Sequence, residues 1–225
     1  MSGLNLTPPV ICLVTDRRRL TDPVLGDGIE SLLCLIERAA HTGIDLIQIR
    51  ESDLEDRVLE DVVRRAVVLT SATSTRVVVN DRVDVALAAG AAGVHLKETS
   101  MLPEQVRQLA PKGWLVGRSV HHTTEAVRVA TPGVVDYLVV GTVFETGSKP
   151  GQAPMGSDGL AAMVHAVEVP VLAIGGVTVD RARLVGQSGA AGLAAIAEFA
   201  EAGHRLDVVV KNIRLKFDTG RSELL

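Results

Sequence analysis

Short apolar runs rich in Val, Ile and Leu alternate with longer segments of helical spacing along the whole chain. Apolar residues recur three and four positions apart in the segment from Ile29 to Ala40 and again from Val58 to Ala66, which predicts amphipathic helices. The apolar runs predict eight strands, at 10–15, 44–50, 76–80, 93–96, 114–118, 136–140, 170–174 and 192–196. Further helices are predicted at 83–89, 103–109, 124–130, 157–167 and 179–187, with a last one from about 204 to 216.

This alternation predicts one α/β fold class. Strands separated by helices run parallel, and eight such units close into a (β/α)8 or TIM barrel. A doubly wound open sheet is the alternative, but its glycine-rich turn after the first strand is missing, and Thr15-Asp16-Arg17-Arg18 stands there instead. With no linker or low-complexity tract visible, we predict a single domain over residues 1–225.

Composition narrows the class of partner. The 225 residues are 47% hydrophobic and only 2% aromatic, so small aliphatic side chains must fill the core. A net charge of -4 gives no general attraction to nucleic acid or to acidic membranes, and no apolar run reaches membrane-spanning length. Cys12 and Cys34 lie in apolar segments, which predicts buried free thiols and a cytoplasmic location. The oligomeric state is left open, a homo-oligomer included.

Polar residues at the strand exits predict an anion site, because ligands bind at the carboxyl ends of barrel strands. The loop 141–151 brings the hydroxyls of Thr146 and Ser148 and the ammonium of Lys149 to the sixth exit. Gly175-Gly176 follows the seventh strand directly before a helix, which favours a phosphate cradle over a plain tight turn. Arg118, at the fifth exit, is a further candidate anion partner.

Two other exits leave alternatives open. Gln48 and Arg50 share one face of the second strand, so Arg50 either binds an anionic ligand or forms an internal ion pair with Glu51 or Asp81. Asn80-Asp81 could coordinate Mg²⁺, but capping of the next helix by Asp81 is the favoured interpretation.

Histidines mark the fourth and fifth exits. Of His121 and His122, alternation lets only one point inward, where its imidazole could exchange protons with a substrate. His95 lies between Val94 and Leu96, and we expect a core histidine with its hydrogen bonds satisfied.

Six motifs, taken together and in order, resemble the thiamine phosphate synthase/TenI family over nearly the whole barrel. They are Gln48-Ile49-Arg50-Glu51, the run from Asn80 to Leu87, Gly93-Val94-His95-Leu96, Ser119-Val120-His121, the loop 141–149 and Ile174-Gly175-Gly176-Val177-Thr178. The resemblance implies one of two activities. A synthase joins a pyrimidine diphosphate to thiazole phosphate with Mg²⁺ and releases pyrophosphate, whereas a TenI-type tautomerase shifts a proton to aromatise carboxythiazole phosphate.

Two departures from the synthase pattern decide the expectation. Ser52 stands where synthases carry a Lys, and Ser100 stands where they carry a second metal-binding Asp, although Asp81 is synthase-like. We therefore expect the tautomerase, an isomerase without a cofactor. The alternatives are the Mg²⁺-dependent synthase, a transferase in which Asp81 binds the metal, and a non-catalytic regulator that binds a thiamine precursor.

The resemblance also implies roles for individual residues, with a phosphorylated thiazole as the small-molecule partner. His121 would move the proton, with Arg50 and Ser119 beside it as catalytic residues. The phosphate would bind to Gly175, Gly176 and the backbone near Ala197. The other substrate-binding residues would be Gln48, Asn80, Arg118, Thr146, Ser148 and Lys149.

Overall fold

A computed structural model describes residues 8–20, 28–147 and 153–224 of the protein. Eight parallel strands form a closed barrel in which each strand pairs with the next and the first pairs with the eighth. The predicted (β/α)8 barrel is therefore confirmed. The strands are β1 Val10–Val14, β2 Leu46–Ile49, β3 Arg76–Asn80, β4 Gly93–Leu96, β5 Leu115–Val120, β6 Tyr137–Val140, β7 Val171–Ala173 and β8 Gly192–Ala195.

Helices follow the strands and cover the outside of the barrel. They are α1 Ile29–His41, α2 Asp56–Thr70, α3 Val83–Ala88, α4 Pro103–Leu109, α5 Thr123–Val129, α6 Gly156–His165, α7 Ala182–Gln187, α8 Ala197–Ala200 and α9 Leu206–Ser222. Short 3-10 turns lie at Arg17–Arg19 and Gly203–Arg205. The bounds differ most from the prediction at α9, which continues to Ser222, at α7, which begins at Ala182 instead of 179, and at β5, which continues to Val120.

The core has two layers because successive strand residues point to opposite faces of the sheet. Residues of the outward faces pack with the helices in one large apolar cluster. A smaller cluster fills the barrel itself and includes Cys12, Leu46, Val78, Leu115 and Tyr137. Above these positions the same faces carry polar side chains on β2 to β5, where Gln48, Asn80, His95 and Ser119 lie. The alternation thus forms a polar upper layer on an apolar floor.

Two expectations from composition are tested by the structure. Cys12 is buried inside the barrel, but Cys34 is exposed on α1, so the expectation of two buried thiols is wrong for Cys34. Among the helices of the described ranges, none is long and apolar enough to cross a membrane.

Candidate active site

Four polar side chains from β2 to β5 meet in the upper layer of the barrel. Gln48 Nε2 donates a hydrogen bond to Asn80 Oδ1 at 3.0 Å. On the next two strands, His95 Nε2 lies 2.8 Å from Ser119 Oγ. Gln48 is buried, whereas Asn80 and Ser119 are partly exposed at the upper end. Three of the predicted site residues are therefore brought together, with His95 as a fourth member.

His95 is held in a neutral state beneath this layer. Its Nδ1 lies 3.3 Å from the hydroxyl of Tyr137, and both side chains are fully buried. Burial, aided by the charge of Arg118, lowers the pKa of His95 to about 3. Burial also raises the pKa of Tyr137 well above its usual range. Because a neutral imidazole carries one donor and one acceptor, both ring nitrogens have a hydroxyl partner.

Arg50 lies exposed on the rim after β2. Its backbone amide donates to Thr15 Oγ1 at 2.9 Å, while its guanidinium has no hydrogen bond or ion pair among the described residues. Glu51 instead accepts from Thr15 at 2.6 Å and pairs with Arg17 at 3.1 Å. The alternative of an internal ion pair for Arg50 is therefore wrong. The guanidinium is available to an anionic ligand.

Asp81 is held by two side chains from the loop after β4. Lys97 forms an ion pair with Oδ2, and the Ser100 hydroxyl donates to Oδ1. Burial alone would raise the pKa of Asp81, but the hydrogen bonds from Lys97 and Ser100 outweigh it and lower that pKa. Helix α3 has Arg82 as its N-cap without a side-chain hydrogen bond, so the predicted cap by Asp81 is wrong.

This donor set does not fit a magnesium ion held by the protein. Magnesium is held by carboxylate and phosphate oxygens, with several waters kept. Here both oxygens of Asp81 already contact Lys97 and Ser100. Within the described ranges, no three His, Cys, Asp or Glu side chains lie close enough to hold a metal ion.

Arg118 lies outside the polar layer, on the face of β5 that meets the helices. It is 3% exposed, and its Nη2 donates to the carbonyl of Glu98 at 2.9 Å. Glu125 Oε1 lies 4.0 Å from the same nitrogen. The structure does not bring Arg118 together with the barrel interior. Its contact with substrate stays a prediction.

His121 lies between the ends of β5 and β6, and its ring contacts the first residue of the loop after β6. Nδ1 is hydrogen-bonded to the carbonyl of Gly141. The His121 amide donates to Glu125 Oε2 at 3.3 Å. The imidazole therefore holds the beginning of that loop.

The loop after β6 packs directly on the Gly175-Gly176 turn. Amides of Val143 and Phe144 donate to the carbonyls of Ile174 and Gly175, each at 2.9 Å. Both glycines have positive φ, 96° and 61°, which side chains disfavour. The Gly175 carbonyl accepts a hydrogen bond from the Phe144 amide and the Gly176 carbonyl accepts one from Arg181. The amides of both glycines have no acceptor among the described residues.

The remaining predicted ligands divide between described and undescribed parts of the chain. Ala197 is the first residue of α8, directly after β8 and beside the end of β1. Thr146 lies within the described part of the loop, whereas Ser148 and Lys149 lie outside the described residues. Tyr137 was missed by the sequence reasoning. The sequence offered one signal, a glycine inside the fifth strand, since such a glycine often marks a close approach by another group. The structure shows that approach, because a Cβ at Gly117 would lie 2.1 Å from the Tyr137 ring.

Comparison with known proteins identifies the family. A family model described as Thiamine monophosphate synthase, TMP-TENI, matches residues 11–199 of the chain. This range begins at the second residue of β1, ends within α8 and includes the seven other strands in full.

Individual relatives agree with this match over most of their length. The chain is 38% identical to a thiamine-phosphate synthase of Methanoregula boonei over 178 residues, 79% of this chain and 82% of the relative. It is 36% identical to the thiamine-phosphate synthase of Roseiflexus castenholzii over 188 residues, 83% and 79% of the two chains. The structure of thiamine phosphate pyrophosphorylase from Pyrococcus furiosus superposes with a TM-score of 0.78 at 30% identity, covering 93% and 96%.

These findings correct one expectation and confirm another. The expected tautomerase, an isomerase, is wrong, because relatives matching most of the chain are named as synthases, which are transferases. The motifs that suggested the family, in contrast, led to the correct one. The chain belongs to the thiamine monophosphate synthase family.

Proposed function

We propose that the protein is a thiamine phosphate synthase, which couples hydroxymethylpyrimidine diphosphate with thiazole phosphate and releases pyrophosphate. The observation that carries the proposal is the match at 36 and 38% identity to proteins with that name, over most of both chains. The barrel rim adds chemical support, since within the described ranges the Arg50 guanidinium and the amides of Gly175 and Gly176 have no partner.

Thiazole phosphate is proposed to bind at the Gly175-Gly176 turn and the beginning of α8. The amides of both glycines are without an acceptor in the described part of the chain, and a phosphate oxygen can take that place. A side chain at position 176 would meet the carbonyl of Glu145 at 2.4 Å. The turn therefore offers its backbone amides to the ligand and has no room for a side chain at position 176.

Arg50 is proposed to stabilise the departing diphosphate. In the reaction the bond from the pyrimidine methylene carbon to the diphosphate oxygen breaks, and the thiazole forms the new bond to that carbon. Negative charge builds up on the leaving pyrophosphate, so a preorganised cation lowers the barrier. Ser148 and Lys149 are proposed to join Arg50 there, as the resemblance implies.

The polar layer inside the barrel is proposed to bind the pyrimidine. Amides such as those of Gln48 and Asn80 both donate and accept hydrogen bonds, which suits a nitrogen heterocycle. Ser119, fixed by His95 at 2.8 Å, lies beside them. His121 loses the role of tautomerase base with that reaction, and its contact with Gly141 makes it a positioning residue for the loop.

The test is a direct assay of the purified protein with both substrates and Mg²⁺ present. We expect thiamine phosphate and pyrophosphate to appear in equal amounts. Arg50→Gln should reduce kcat/KM on the order of 100-fold, because a cation at the leaving group is lost. The matched control is Arg128→Gln, an exposed arginine in the last turn of α5, which should retain wild-type kcat/KM.

Two results would contradict the proposal. Absence of thiamine phosphate under these conditions would overturn the synthase assignment. Equal losses in the Arg50 and Arg128 variants would remove Arg50 from the site, since a general effect of surface charge would then explain both.

A further inference from the structure

The ion pair between Lys97 and Asp81 lies on the barrel rim, at the carboxyl ends of β3 and β4. Asp81 follows β3 and Lys97 follows the neighbouring β4, so their side chains meet across two adjacent strand ends. The Lys97 side chain is 51% exposed and that of Asp81 is 30% exposed. Ion pairs this exposed add little to stability. The pair therefore matters less for stability than for the ligand that binds at the rim.

The loop that carries Lys97 is fixed rather than loose. The amide of Lys97 donates to Ser100 Oγ at 2.7 Å, and the Ser100 amide donates to the Lys97 carbonyl at 3.1 Å. From beneath, the buried Arg118 donates to the carbonyl of Glu98 at 2.9 Å. These three contacts hold the turn 97–100 above the end of β4, and with it the ammonium group.

Asp81 is fixed just as firmly. Its φ of 67° is in the left-handed region, which non-glycine residues rarely enter. Its amide donates to the carbonyl of His95 at 2.8 Å, which ties this residue to β4. Asp81 is thus tied by its backbone to β4, the strand that Lys97 directly follows.

The chemistry of this cluster differs from that of a magnesium site. The resemblance to synthases implies a second carboxylate at position 100, but Ser100 supplies a hydroxyl that donates to Asp81. An ammonium group has three donors, so Lys97 retains two beyond its contact with Asp81. On the nearby β2 rim, Arg50 presents a guanidinium that is unpaired within the described ranges. Together they place two cations where a diphosphate would otherwise need a metal held by the protein.

We infer that Lys97, held on Asp81, contacts the diphosphate directly and supplies the positive charge that a metal bound to a carboxylate pair would supply. This inference rests on the proposed function and deepens it by assigning how the leaving group is bound. It requires that pyrophosphate binds the protein without a divalent cation, and that Asp81 orients the ammonium instead of ligating magnesium.

The first test is calorimetric titration of the protein with inorganic pyrophosphate in EDTA. We expect binding by the wild type, an affinity lowered about tenfold in Lys97→Met, and an affinity within about threefold of wild type in Lys97→Arg, which keeps the charge. Lys112→Met, an exposed lysine before β5, is the control and should leave the affinity unchanged. Failure of the wild type to bind in EDTA, or equal binding by Lys97→Met, would overturn the inference.

The second test measures metal binding itself, by electron paramagnetic resonance of Mn²⁺. The wild type without pyrophosphate should bind no stoichiometric Mn²⁺. The double variant Lys97→Gly, Ser100→Asp should gain one Mn²⁺, because a second carboxylate then faces Asp81. One Mn²⁺ bound by the wild type and lost in Asp81→Asn would overturn the inference.

These measurements separate the inference from the proposed function. Pyrophosphate binding that depends on Lys97, in a protein that forms no thiamine phosphate, would leave the inference standing and defeat the synthase assignment. Thiamine phosphate formation in a protein that binds Mn²⁺ through Asp81 would support the synthase assignment and overturn the inference.

Discussion

Burial decides the charge state of His95, and the charge state decides what this residue can do. The fully buried imidazole lies between Tyr137 and Ser119 and is kept neutral near physiological pH because the surrounding barrel disfavours its charged form. A neutral His95 can orient the Ser119 hydroxyl but cannot compensate the charge of a diphosphate. The cations of the site must therefore come from the rim.

This gives a pH dependence of stability with a definite sign. The unfolded chain protonates His95 below pH 6.5, whereas the folded protein does so only near pH 3, so protons favour the unfolded state between these values. Above pH 6.5, His95 is neutral in both states and does not change the free energy of unfolding with pH. Below it, the free energy of unfolding should fall by up to about 1.4 kcal/mol per pH unit as the pH is lowered.

Urea unfolding of the wild type and of His95→Gln at pH 7, 6 and 5 measures the effect. The variant should show a flatter dependence on pH over this range, because glutamine stays neutral. The matched control is His204→Gln, an exposed histidine in the turn before α9, which should keep the wild-type slope. Parallel curves for wild type and His95→Gln would show that His95 is not held neutral.

The sequence reached the right strand exits but not every role of the residues there. Gln48, Asn80 and Ser119 lie together as their positions at strand exits predict, because the carboxyl ends of the barrel strands meet at one edge. Asp81 was assigned to a helix cap, because local spacing cannot show that Lys97 and Ser100 approach from the next strand exit. Contacts between exits depend on loop geometry, which no local pattern contains.

At the scale of elements, the loop after β6 and the turn after β7 form one unit. The loop donates two amides to the turn, and Arg181 from the beginning of α7 donates to the carbonyls of Gly176 at 2.6 Å and Glu145 at 3.3 Å. The Arg181 guanidinium also lies 5.1 Å from the centre of the Phe144 ring. The phosphate cradle is therefore positioned by the loop as well as by its own glycines.

Gly176→Ala should separate these two elements. The new Cβ would lie 2.4 Å from the carbonyl oxygen of Glu145, and the φ of 61° would add strain. We expect kcat/KM for thiamine phosphate formation to fall at least about tenfold, because misplaced ligand groups slow catalysis steeply. Gly113→Ala is the control, since its φ is 81° but nothing lies within 4 Å of the added Cβ. Normal kinetics in Gly176→Ala would show that the cradle does not depend on this packing.

The helix that was predicted least well shows what periodicity leaves out. We expected the last helix to end at 216, but α9 continues to Ser222 through Gly220. A Cβ at Gly220 would lie 2.1 Å from the carbonyl oxygen of Arg183, and one at Gly186 would lie 2.2 Å from that of Phe217. These glycines allow α7 and α9 to approach closely. A glycine that would locally signal the end of a helix here serves helix packing instead.

At the scale of the whole molecule, closure of the barrel joins the first strand to the last strand and the last helix. Pairing of β1 with β8 sets Val10 opposite Gly192, and α9 then donates from Arg214 to the carbonyl of Pro9 at 2.8 Å. Each strand thus has two neighbours, and the polar layer at the rim depends on all of them. The order of the strands was predictable from the alternation of elements, because parallel strands joined by helices allow few topologies.

Closure predicts that the protein unfolds as a single domain, which the sequence led us to expect. Trp114, the one tryptophan of the chain, is 5% exposed beside β5 and reports on that side of the barrel. Far-ultraviolet circular dichroism reports on all helices, so the two urea transitions should coincide. Gly192→Ala, whose Cβ would lie 2.0 Å from the Val10 carbonyl oxygen, should shift both midpoints down together by the equivalent of about 2–4 kcal/mol. Gly113→Ala should shift them by about 1 kcal/mol, from backbone strain alone. If Gly192→Ala moved the circular dichroism transition and left the Trp114 transition in place, the β1–β8 side would unfold separately and the single-domain prediction would be wrong.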